Sequence, residues 1–114
     1  MHWSSWTALK PVRTPIAPGS WPPFIGAGWQ ALLDDLHREL VYLDPACFVF
    51  EAGAAAHGAL TVQMHAPQAV TNEARELVAH TVAKSRVTCE RCGAPGRLYG
   101  GTWLVTLCAS CAPR

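Results

Sequence analysis

Between residues 28 and 43 the apolar side chains Trp29, Leu32, Leu33, Leu36, Leu40 and Leu43 recur every third or fourth position, while Asp34, Asp35, Arg38 and Glu39 occupy the opposite face. That spacing matches the 3.6-residue period of an amphipathic helix. Asp44-Pro45 ends it, because the residue before proline is pushed out of the helical region. The period then changes to two. Cys47 to Glu51 reads as a short strand, and Leu60, Val62 and Met64 alternate with Thr61, Gln63 and His65 as a half-buried strand. The small-residue run from Ala52 to Gly58 lies between them, which predicts an antiparallel hairpin, and Pro67 closes the second strand. A helical period returns over about residues 72–85, where Ala74, Leu77, Val78, Thr81, Val82 and Ser85 share a face of small side chains. Thr71 or Asn72 is placed to cap this helix. Glu73 and Glu76 near its start, and Lys84 and Arg86 near its end, suit the helix dipole.

The first 25 residues have neither period. Pro11, Pro15, Pro18, Pro22 and Pro23 forbid a long helix or a central strand, so the segment reads as an extended, partly polyproline-like arm. It also carries Trp3, Trp6 and Trp21, and disordered tails are poor in aromatic residues. Such an arm packs on something: its own domain, or a partner chain reached through these three tryptophans. Trp21, nearest the first helix and stiffened by Pro22-Pro23, is expected to be buried. The chain thus divides into an arm at 1–25, a helix–hairpin–helix core at 26–85 and a C-terminal module at 86–114.

That module carries the chemistry. Cys89-Glu-Arg-Cys92 is followed after fifteen residues by Cys108-Ala-Ser-Cys111. A C-x-x-C turn holds two thiolates close enough to share one tetrahedral ion, and two such turns complete its shell. Gly93, directly after the first pair, permits the backbone turn that aims amides at sulfur. Residues 96–100 and 102–107 read as two strands joined at Gly100-Gly101, a hairpin that returns the second pair to the first. The pattern is that of a zinc ribbon with one structural Zn²⁺ on Cys89, Cys92, Cys108 and Cys111. Two disulfides would require an oxidising compartment, a redox motif needs only one pair, and four thiolates also suit iron. Four thiolates leave a tetrahedral zinc no position for activated water, which argues against catalysis by the metal.

Composition changes the picture only modestly. The chain of 114 residues has a net charge of +1, and half of it is apolar. A chain this short buries only about two-thirds of its unfolded surface, so a structural metal adds stability where the core is limited. Charge is unevenly spread: residues 34–83 total −5, whereas residues 84–114 total +4. The basic end makes Lys84, Arg86, Arg91 and Arg97 candidate phosphate contacts, with Tyr99 or Trp103 available to stack on bases. There is no apolar run of the roughly 18–20 residues a membrane span needs, and no signal-peptide pattern. With the cysteine usage, this leads us to expect a cytoplasmic protein. Cys47 reads as a small buried apolar residue. His37, His57, His65 and His80 have no partner at ligand spacing, and Asp34-Asp35 reads as a solvated face. No nucleophile elbow, phosphate loop or zinc-protease helix is found, so an enzyme is not expected.

The run from Ser85 to Gly96, with Cys-Glu-Arg-Cys-Gly-Ala-Pro-Gly at its heart, and Trp103-Leu-Val-Thr-Leu-Cys108 resemble a group of small uncharacterised zinc-ribbon proteins of bacteria and their phages. The resemblance spans about residues 26–112. It implies the same order of elements and a phage or mobile-element setting, and no defined activity. The group's strand pair often carries a basic stretch; here the matching residues are Ala54 to Gly58, without the charges. Together these readings give a small α+β fold, with two helices on a short antiparallel sheet and a C-terminal ribbon. The expected role is non-enzymatic binding of a protein partner as an adaptor or inhibitor. Nucleic-acid binding through the basic end is the alternative. Nothing in the residues fixes the oligomeric state.

Overall fold

A computed structural model describes residues 13–113. The leucine stripe forms helix α1 (Ala27–Leu43), with Trp29, Leu33, Leu36 and Leu40 buried and Leu32 and Leu43 packed at the margin. Asp44 stops it: its N–H still bonds to the Leu40 carbonyl, and its carboxylate accepts from the Ala46 N–H at 2.8 Å in an Asx turn.

Strands β1 (Phe48–Ala54) and β2 (Leu60–His65) pair antiparallel. β1 runs three residues beyond the Glu51 expected from its sequence pattern. A register shift between Val49 and Glu51 re-phases the strand, so that Ala52 still faces the core although the period of two is broken. A 3₁₀ turn (Gln68–Val70) leads into α2 (Thr71–Ser85). The expected side-chain cap from Thr71 or Asn72 is not made. The Thr71 hydroxyl instead donates to the Pro67 carbonyl at 2.9 Å, closing the turn before the helix. Glu73 and Lys84 lie in the first and last turns of α2, as the dipole favours.

The α2 face of Ala74, Thr81 and Ser85 is buried, and its small side chains let α2 lie close to α1 and β2. Ser85 ties this layer together. Its hydroxyl accepts from the Leu60 N–H at 2.9 Å and donates to the Val82 carbonyl at 2.6 Å. Strands β3 (Arg97–Gly100) and β4 (Leu104–Leu107) form a second antiparallel pair, joined through residues 101–103. The expected tight link at Gly100-Gly101 is thus a longer loop, entered through Gly100 at a φ of 112° that only glycine adopts freely. The fold is α+β, as the sequence pattern implies.

Of the arm, Trp3 and Trp6 lie outside the described residues. The part that is described packs in cis. Trp21 and Ile25 belong to the main core, with Ile16 against it. The Ile16 N–H donates to the Val49 carbonyl at 2.8 Å, and the Trp21 indole N–H donates to Asp34 at 2.7 Å. Trp21 is therefore a core residue of its own chain rather than a surface for a partner. Asp34 is also not merely solvated, since it holds that indole, while Asp35 pairs with Arg38 on the exposed side.

Candidate metal centre

The first cysteine turn is built on Gly93. With φ at +85°, Gly93 turns the chain so that its N–H reaches the Cys89 carbonyl at 2.9 Å. The Cys89 N–H bonds to the Ala94 carbonyl at 2.7 Å, which closes the knuckle. The second turn is shaped similarly, the Cys111 and Ala112 N–H groups bonding to the Cys108 carbonyl. The β3–β4 hairpin brings the two turns together. Glu90 N–H bonds to the Thr106 carbonyl at 3.0 Å, and Cys89, Leu107 and Cys108 form a small buried core with Tyr99 and Val105 at its edge.

The result is a single cluster. The sulfurs of Cys89, Cys92, Cys108 and Cys111 all lie within 4.8 Å of one another, and all four cysteines are free. Cys92 and Cys108 are 3.6 Å apart at sulfur, far beyond a disulfide bond. Four sulfurs at about 2.3 Å from a central ion stand about 3.8 Å apart along each tetrahedral edge, so the set is matched to one ion.

Electrostatics favour the thiolate at two of the four positions. Burial, the largest influence on Cys89, pushes its thiol up, but N–H groups of Cys92, Cys108 and Arg91 aimed at the sulfur outweigh it and bring it down to about 6. Cys108 is also lowered, chiefly by the Cys111 N–H. Cys92 and Cys111 move the other way. On Cys92 the Ala94 N–H favours the thiolate, but sharing protons with Cys108 and Cys89 outweighs it and raises the thiol. Cys111 is raised to about 12, mainly by sharing a proton with Cys108. Four thiolates without a cation repel one another, and a divalent ion removes that repulsion.

The centre is not an appendage. The N-terminus of α1 rests on the first knuckle. Gly28 N–H donates to the Glu90 carbonyl at 2.9 Å, and a methyl on Gly28 would overlap the Cys89 carbonyl and the Gly93 nitrogen. Gly26 is as close to the Glu90 carbonyl. The positive end of the helix therefore lies against the turn that carries Cys89 and Cys92, an arrangement that favours negative charge there. Trp29 adds a second tie: its indole N–H lies 3.2 Å from the Ser85 carbonyl and 3.0 Å from the Thr88 carbonyl. A third tie runs from the ribbon hairpin to the β1–β2 loop, where Thr106 hydroxyl donates to the Gly58 carbonyl at 2.7 Å and Leu104 N–H to the Ala56 carbonyl at 2.7 Å.

Gly26 and Gly28 lie where the arm meets the first helix. Neither has a positive φ, and their role is to admit a neighbouring backbone. Gly28→Ala is accordingly expected to destabilise the protein by about 1–3 kcal/mol, as overpacking does, although alanine is the better helix former. Urea unfolding measures this, and a variant as stable as the parent would show that helix and knuckle separate freely.

The other predicted residues lie outside this cluster. Lys84, Arg86, Arg91 and Arg97 are exposed, and Trp103, at the hairpin loop, is 57% exposed. Arg97 is partly engaged, its guanidinium donating to the Tyr99 hydroxyl at 3.1 Å and stacking over the ring. Cys47 is buried, and that burial raises its thiol. Among the described residues, the four cysteines are the only cluster of His, Cys, Asp or Glu fit to hold a metal, and no helix is long and apolar enough to cross a membrane. Comparison with protein-family models, with curated proteins and with solved structures finds no match for the chain.

Proposed function

We propose that the protein is a non-enzymatic zinc-ribbon protein whose work is to bind another protein, as an adaptor or inhibitor. The observation that carries this reading is the closed, braced metal cluster. Four cysteine sulfurs within 4.8 Å of one another fill a tetrahedral shell, and the first knuckle is locked against α1. Zinc fits such an all-thiolate tetrahedron, which leaves no open position for a substrate or activated water. The metal then serves to hold surfaces in place, and the function resides in those surfaces. Large exposed apolar side chains are available to such surfaces, with Phe24 72%, Tyr42 94% and Leu98 50% exposed. The wording of the ribbon supports a phage or mobile-element setting, and the cysteine usage a reducing compartment such as the cytoplasm.

Nucleic-acid binding is the second reading, favoured by one observation. The Gly96 N–H bonds to the Val87 carbonyl at 2.9 Å, which brings the chain at Arg86 beside that at Arg97. A short DNA or RNA titrated across a salt series separates the two. Under the protein-binding reading, any association is weak and confined to low salt. A tight complex whose affinity falls steeply with salt, and which is lost in Arg86→Ala and Arg97→Ala, would establish phosphate contacts and overturn it.

A further inference from the structure

The C-terminal half of α1 and the N-terminal half of α2 leave a depression between them. Its larger part, about 610 Å³, is lined by Arg38, Glu39, Tyr42, Leu43 and Leu77. An adjoining part of about 390 Å³ shares Glu39, Leu43 and Leu77 and adds Glu73, Glu76 and His80. Leu43 and Leu77 make an apolar floor, half-buried because each also packs on the core. Tyr42 stands on the rim with 94% of its surface in water. An aromatic ring so placed beside an apolar floor offers a large contact area at little entropic cost.

Charge decides what fits. Glu39, Glu73 and Glu76 ring the floor, and among the described residues none of them is in an ion pair. The single guanidinium of the lining, Arg38, is turned to Asp35 outside the depression. The groove is thus apolar at its base and carries three unpaired carboxylates at its edges, with His80 beside them and Arg38 paired to Asp35. It repels phosphate and complements a segment with apolar anchors flanked by lysine or arginine.

We propose that this groove docks a basic amphipathic helix of a partner protein, its apolar side chains on Leu43, Leu77 and Tyr42 and its cations against Glu39, Glu73 and Glu76. The mode is that of a helix laid into a groove between two helices. It rests on the protein-binding reading above and gives the partner a chemistry.

The test uses the full zinc-loaded chain and a short synthetic helical peptide with leucines on one face and lysines along its flanks. Amide shifts in two-dimensional NMR report where it binds. Binding is expected to perturb residues 38–43 and 73–80 and to weaken with salt. Glu39→Lys and Glu76→Lys should each weaken it roughly fivefold, because a favourable screened pair becomes a repulsive one. Tyr42→Ala should do the same by removing the aromatic contact. All three positions are at the surface, and unchanged zinc content and helical signal confirm that the variants fold. A peptide of the same composition with the stripe scrambled should bind at least tenfold more weakly. Equal binding of the scrambled peptide, no binding, or shifts confined to the ribbon would overturn the groove. Shifts at residues 38–43 and 73–80 that grow with concentration of the protein alone would overturn it in favour of a second copy. Failure of the parent reading looks different: tight, salt-sensitive nucleic-acid binding at Lys84, Arg86, Arg91 and Arg97.

Discussion

Cys92→Ser lowers the melting temperature of the helical core together with that of the ribbon. A structural zinc contributes folding free energy on the order of 10 kcal/mol in small modules, comparable with the whole stability of a domain this size. Losing one of four thiolates forfeits a large part of that. The effect spreads because the knuckle is packed into the body: α1 begins on the Glu90 carbonyl, Trp29 reaches Thr88, and Thr106 holds Gly58. Circular dichroism at the helical band and tryptophan fluorescence should therefore fall in one shifted transition, and excess chelator should reproduce it in the parent. If the helical signal melts where it did before while the ribbon alone is lost, the ribbon is an independent module and the ties seen at Gly28 and Trp29 carry little energy.

Trp29→Ala should cost about 3–5 kcal/mol, the range for removing a large aromatic ring from a core. Trp29 is 1% exposed, and it is the residue through which α1 touches both the end of α2 and the start of the ribbon. Trp29→Phe separates the two contributions. It keeps much of the apolar contact and removes the indole donor, leaving the Thr88 carbonyl without that partner, for a loss of about 1–3 kcal/mol. Urea unfolding should show both midpoints reduced, the alanine variant more, with the slope unchanged. An alanine variant within 1 kcal/mol of the parent, by that same measurement and on the scale of ordinary surface substitutions, would place Trp29 outside the cooperative core.

The parts of this structure legible in the sequence are those set by local period and by spacing. The stripe from Trp29 to Leu40 specifies α1 because a 3.6-residue repeat has one apolar face, and Trp29, Leu33, Leu36 and Leu40 of that stripe are buried. The cysteine set was legible because C-x-x-C turns fix ligand geometry locally, and the two strands between them can only fold back. Burial of Trp21 followed from its size and its stiff approach.

What stayed hidden depends on contacts between segments far apart in the chain. Gly28 meets Gly93, and Trp29 meets Ser85 and Thr88; no local pattern marks a helix glycine as a place where another backbone enters. The extension of β1 to Ala54 was masked because the register shift breaks the alternation that defines a strand in sequence. The acidic groove was equally hidden, since Glu39 and Tyr42 lie on one helix and Glu73 and Leu77 on another, and no local pattern joins the two. Asp34 illustrates the same point: its spacing places it on a polar face, yet it holds the Trp21 indole.

X-ray absorption at the zinc edge, with elemental analysis of protein purified without added metal, addresses the central claim most directly. The account predicts one zinc per chain with four sulfur neighbours at about 2.3 Å and no nitrogen or oxygen ligand. A folded chain without metal, iron in place of zinc, fewer than four sulfurs, or a disulfide joining Cys89 to Cys92 or Cys108 to Cys111 would contradict it.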